Sequence, residues 1–187
     1  MVSRLMPGNQ NTGKLSGPKP AGPRPVTSSY LRKAAMHYIA GRSASVEMVR
    51  QTLQRRAQRR LTVRSLEAVT LELIDTAVAE LLKLGLLDDA RFAEARTATL
   101  TRKGLSRSRI AQGLRAKGLD KAIVESAVGE DIDELAQARR FVERKRLGGL
   151  RRGGMTPATR KKDLGALARA GFGFKIATAA LAQSLSE

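Results

Sequence analysis

The sequence predicts an all-α protein of tandem three-helix repeats, and three observations predict it. Apolar residues recur at helical spacing along most of the chain after residue 26. Aromatic residues are 3% of the 187 and Trp is absent, so alanine and leucine must supply the packing, which suits close-packed helices better than a β-sandwich. A local pattern also recurs: Ser45 and Leu53, Ser106 and Leu114, and Thr156 and Leu164 each stand eight residues apart, each followed by a further helical segment. One such unit has too little apolar face to stand alone. Neighbours stacked on it would bury that face, as in a solenoid.

Residues 1–26 hold five of the six prolines and no acidic residue, and are expected to form a disordered, weakly basic tail. The first unit is expected over 27–86. Thr27, Ser28 and Ser29 offer caps for a helix carrying Leu31, Ala34, Ala35, Tyr38 and Ile39, which ends at Gly41. A second helix starts near Ser43 or Ser45, presents Val46, Val49 and Leu53 on one face, and runs into Arg55-Arg56-Ala57-Gln58-Arg59-Arg60. A third covers roughly 65–84, with Leu66, Val69, Leu73, Ile74, Ala77, Val78, Leu81 and Leu82 as its apolar face.

Gly85 can stop that helix in a left-handed cap, and Asp88 or Asp89 can start the next. The second unit, 87–132, then holds helices over 89–103, 106–117 and 120–128, the last with Ile123, Ala127 and Val128 inward. The third unit, 133–187, opens near Glu134 with Ala138, Phe141 and Val142. It crosses a basic, glycine-rich linker over 146–154 and resumes at Thr156-Pro157, a capping hydroxyl followed by proline at the first helical position. Leu164 and Leu167 face inward, Gly171-Phe172-Gly173 breaks the helix, and Ile176, Ala180 and Leu181 close the unit.

The formal net charge is +18, from 35 Lys and Arg against 17 Asp and Glu, an imbalance that self-repulsion makes costly unless a polyanion is the partner. The charge is also segregated. Residues 42–64 carry seven Arg and one Glu, 91–121 nine bases and two acids, and 139–162 ten bases and one acid. Residues 66–90 carry six acids and one Lys. The first and second helices of each unit are therefore basic, and stacking in register would lay three basic patches along one side. The candidate contacts to phosphate or carboxylate are Arg55, Arg56, Arg59 and Arg60; Arg107, Arg109, Arg115 and Lys117; and Arg151, Arg152, Arg160, Lys161 and Lys162.

Catalytic chemistry finds no foothold. Cysteine is absent, which excludes disulfides, thiolate metal sites and a Cys nucleophile and suits a reducing cytoplasm. The single histidine, His37, has no carboxylate cluster near it in sequence. There is no phosphate-binding loop of the G-x-x-x-x-G-K-[ST] type, no nucleophile elbow and no metal-ligand spacing. No enzyme, cofactor or metal is expected. No run of 18 apolar residues exists and no secretion signal is recognisable at the N-terminus, so a cytoplasmic protein is expected. Residues 106–128 have the outline of a helix-turn-helix with Gly118 in the turn. The candidate reading helix, Lys121 to Val128, is mostly apolar and carries Glu125, so it is a poor reader of base edges. A helix-turn-helix-like or non-specific DNA-binding protein remains the alternative reading.

Segments in each of the three units carry a family resemblance. GLLDDARFAEA (85–95), GLSRSRIAQGLRAKGL (104–119) and IVESAV (123–128) resemble the middle repeat of the RecX regulatory proteins. ARRFVERK (138–145) with DLGALARAGFGFKIATAAL (163–181) is similar to that family's C-terminal repeat, and AAMHYIAGRSASVEMVRQTLQRR (34–56) matches more weakly. The resemblance implies an elongated, curved array of three-helix repeats. It also implies binding to the RecA recombinase filament on DNA and suppression of its strand exchange, ATPase and coprotease activities, in DNA repair and the SOS response. A monomer that contacts single- and double-stranded DNA mainly through the phosphate backbone is expected. Two departures stand out: residues 57–68 look like an insertion in the first repeat, and the linker over 148–154 is long and basic.

Overall fold

The computed structural model describes residues 24–129 and 133–183. Among them are nine α-helices, one 3-10 turn and no strand. The helices are α1 (Ser28–Ile39), α2 (Val46–Leu61), α3 (Ala68–Lys83), α4 (Asp89–Arg102), α5 (Arg107–Arg115), α6 (Lys121–Val128), α7 (Glu134–Lys145), α8 (Pro157–Arg169) and α9 (Phe174–Gln183). The fold is all-α.

The apolar residues gather into three clusters, one for each set of three helices. Leu31, Val49, Leu53, Ile74 and Leu81 lie in the first, Phe92, Ile110, Leu114 and Val124 in the second, and Phe141, Val142, Leu167, Phe172 and Leu181 in the third. In each set the first helix packs on the third: α1 on α3, α4 on α6, α7 on α9. A fully buried leucine contributes about 1.5–3 kcal/mol, so each cluster stabilises its own unit. Met48 packs against both the first and second clusters, and Leu105 against both the second and third.

Most helix starts carry a side-chain cap. Thr27, Ser45, Asp88, Ser106, Asp133 and Thr156 each accept a hydrogen bond from a backbone N–H at the start of the helix that follows. Thr159 completes a reciprocal capping box with Thr156. Asp163 is 1% exposed. It accepts from the Gly148 N–H at 2.9 Å and pairs with Arg151, which ties the basic linker to α8.

The structure departs from the sequence reading in four places. The buried stripe of α3 is Ile74, Ala77, Val78 and Leu81; Val69 is 65% and Leu82 44% exposed. At 100° per residue Val69 lies opposite Val78, while Leu82, about 40° past Val78, flanks the stripe on its solvent side. In α6 Val128 is buried and Ile123 and Ala127 pack half-buried on the second cluster as expected, but the helix also buries Val124, which the sequence reading left out. Residues 57–61, read as part of an insertion, simply lengthen α2. The stretch read as a disordered tail ends in contacts: Arg24 N–H donates to the Arg60 carbonyl at 3.1 Å, and Val26 packs on the first cluster. The rest of that stretch, 1–23, lies outside the described residues.

Candidate nucleic-acid interface

The units meet at two joints built from the same parts. At the first, Ser45 caps α2 and its hydroxyl also donates to the Lys117 carbonyl at the end of α5, at 2.6 Å. The next N–H of α2, on Val46, is taken by Asp89 Oδ1 of α4 at 2.9 Å. At the second, Ser106 caps α5 and its N–H donates to the Ala170 carbonyl at the end of α8, at 3.1 Å. The Arg107 N–H is taken by Glu134 Oε1 of α7 at 2.7 Å. In both, the helix N-terminus of one unit is satisfied by an acid at the first position of the next unit.

A glycine makes each joint close. Gly118 has φ +80°, and a Cβ there would stand 2.3 Å from the Cβ of Glu47. Gly171 has φ +95°, and a Cβ there would stand 2.1 Å from the Ser106 hydroxyl. Backbone thus passes where no other residue fits. The consequence is directional. The C-terminus of α8 abuts the N-terminus of α5, and the C-terminus of α5 abuts the N-terminus of α2, so the three second helices run end to end with dipoles head to tail. Burial raises the Asp89 carboxyl above its ordinary range, reinforced by the Asp120 and Asp88 carboxylates and opposed by the Val46 N–H.

The candidate cations fall mainly on these helices. Arg55 and Arg59 line one cleft on α2 together with Arg64. Arg56 is half-buried. Arg60 is committed elsewhere: its guanidinium stacks 4.1 Å from the Tyr30 ring centre and Nε donates to the Pro25 carbonyl at 2.9 Å. On α5, Arg109 and Arg115 are exposed and Arg107 is half-buried; Lys117, half-buried, follows the helix. Arg160, Lys161 and Lys162 are exposed on α8, and Arg152 is exposed in the linker. Arg151 is bound to buried Asp163 and holds the linker rather than facing a ligand. Two further arginines join the candidates in space, Arg64 beside Arg55 and Arg169 beside Arg109. Arg169 lies outside the basic run over 139–162, and Arg64, though counted in the run over 42–64, stands apart from the Arg55–Arg60 cluster chosen there.

The acids of α3 are partly consumed within their own unit: Glu80 pairs with Arg32 at 2.7 Å and Asp75 with Arg50 at 2.9 Å. The exposed side chains of α6 are Lys121, Ala122, Glu125 and Ser126, with Lys121 and Glu125 paired at 3.7 Å. That face offers little to a base edge. Among the described residues no three His, Cys, Asp or Glu side chains gather to hold a metal, and no helix is long and apolar enough to cross a membrane.

These features define a class: a helical-repeat protein whose three-helix units are locked by shared caps and whose second helices carry exposed cations. Residues 88–128 match the family model described as RecX, second three-helix domain, which spans α4, α5 and α6 with the Asp88 cap. The middle unit is thus similar to the second three-helix domain of RecX proteins. No curated protein matches it.

Proposed function

We propose that this protein binds the RecA recombinase filament on DNA and restrains its recombination, ATPase and coprotease activities, as a non-catalytic cytoplasmic regulator in DNA repair and the SOS response. The RecX match of the middle unit carries this reading. The three modules, 27–86, 87–132 and 133–187, act together. Cations on α2, α5 and α8 form a row that contacts phosphate backbone and acidic filament surface, bridging successive recombinase subunits. Several weak contacts on one rigid array sum to tight binding.

The test is a recombinase ATPase assay on single-stranded DNA, with this protein titrated well below one per recombinase subunit. Substoichiometric inhibition is expected. Stoichiometric coating with no effect on the recombinase would leave only a basic DNA-binding protein. A variant carrying Arg55→Glu and Arg59→Glu should lose inhibition while keeping its helical circular dichroism. Arg60 and Arg151 are left intact because both hold the fold together.

A further inference from the structure

A cleft runs between α5 and the C-terminal end of α8, at the second joint. Its walls include Ser108, Arg109, Gln112 and Arg115 on one side and Arg169 and Gly171 on the other, and no acidic residue lines it. Arg109 Nη1 donates to Gln112 Oε1 at 2.6 Å. None of the three arginines has a carboxylate within ion-pair distance among the described residues. Three guanidinium groups around one cleft repel one another unless an anion stands among them. A phosphate is the anion their planar, forked donors fit best.

The walls are held, not merely adjacent. Gly171 comes against Ser106 and Arg109 more closely than any other residue could, and the Ser108 hydroxyl donates to the Gly171 carbonyl at 3.2 Å. The first joint provides an internal comparison. Aligning Ser45 with Ser106 and Gly118 with Gly171 sets Glu47 against Ser108, Met48 against Arg109, Gln54 against Arg115 and Ala116 against Arg169. Both sets build the same joint, so the joint itself does not demand arginines. At these aligned positions only the second carries arginines, and the charged residues that line its cleft are all cationic.

We propose that this cleft seats a backbone phosphate of single-stranded nucleic acid, gripped by Arg109 and Arg115 from the second unit and Arg169 from the third. Occupation therefore holds the two units in one relative orientation. The assignment rests on the polyanion reading of the function but not on the recombinase.

The experiment measures binding of a fluorescent oligothymidine to the full chain by anisotropy across a salt series. For Arg109→Ala with Arg169→Ala, the log–log salt slope is expected to fall by about 0.7, for the one phosphate no longer neutralised, and affinity at 0.1 M salt by roughly fivefold. Ser108→Glu places in the second joint the carboxylate that the first joint carries. It should weaken binding more than the uncharged, equally large Ser108→Gln does, and this pair serves if the double variant fails to fold. Hydrogen exchange should slow on binding at residues 106–109 and 169–172. Unchanged slope and affinity in both charge variants would overturn the seat. So would stabilisation of the parent, but not of Arg109→Ala with Arg169→Ala, by inorganic pyrophosphate at matched ionic strength without oligothymidine protection of these residues; the ligand would then be a small free phosphate. A parent that binds oligothymidine through this cleft but leaves recombinase ATPase untouched would refute the proposed function and leave the seat standing.

Discussion

Asp89 shows how one side chain can serve a neighbour before its own helix. Asp88 caps α4, so Asp89 is free to accept the Val46 N–H of the preceding unit. The bond is made at the expense of partial burial, which raises its carboxyl above the ordinary 3.8. The folded chain then holds that proton more tightly than the unfolded chain. The stability contributed at this site is full below pH 3.8 and declines as pH rises through the raised folded value. Asn keeps the accepting oxygen and discards the charge. Asp89→Asn is expected to be at least as stable as the parent at pH 7 in urea unfolding, and to flatten the pH dependence over the range above pH 3.8 in which the raised carboxyl titrates. Asp89→Ala strands the Val46 N–H and should cost about 1 kcal/mol. A parent whose stability relative to Asp89→Asn rises with pH over that window would contradict this. In the sequence the Asp-Asp pair was readable as a cap, but not which aspartate capped which helix, because the second recipient lies 43 residues away.

At the scale of elements, helix starts were legible and helix faces less so. Ser, Thr and Asp before an apolar run announce a local hydrogen bond, and local bonds survive any tertiary arrangement. Which flank of an apolar stripe turns inward depends on the neighbouring helix, as Val69, Leu82 and Val124 demonstrate. Glycines show the same limit. Gly85 and Gly118 both follow helices with positive φ, +65° and +80°. Nothing lies within 4 Å of a Cβ at Gly85, whereas one at Gly118 would enter Glu47. Gly85→Ala should therefore cost about 1 kcal/mol, the left-handed penalty alone. Gly118→Ala should cost that plus about 1–3 kcal/mol for opening the first joint. Urea unfolding measures both, and faster amide exchange at Val46 in Gly118→Ala locates the difference. Equal losses in the two variants would mean that the close approach of Gly118 to Glu47 contributes nothing.

For the whole molecule, the two joints share one set of requirements. Each needs an N–H at the first position of a second helix, supplied by Val46 and Arg107, and an acid at the first position of the next unit, supplied by Asp89 and Glu134. The third unit offers Pro157 at the donor position, which has no N–H, and the first unit offers Ser28 at the acceptor position. Neither end can repeat the joint with a second copy. Sedimentation equilibrium is therefore expected to find a monomer across the micromolar range, and head-to-tail oligomers would contradict it. The candidate site was partly legible: the basic runs named α2, α5 and α8, but Arg64 and Arg169 joined them only in space, while Arg60 and Arg151 turned to Tyr30 and Asp163.

The sequence by itself determined the helical class, the recurrence of the unit, the caps and the cationic excess, since each is set by periodicity, local hydrogen bonding or composition. Tertiary structure alone decided that the second helices meet end to end, that Asp89 and Glu134 reach back across the joints, and that one joint is lined by arginines and the other is not. Those outcomes depend on contacts between residues tens of positions apart, where chain geometry rather than local pattern selects the partner.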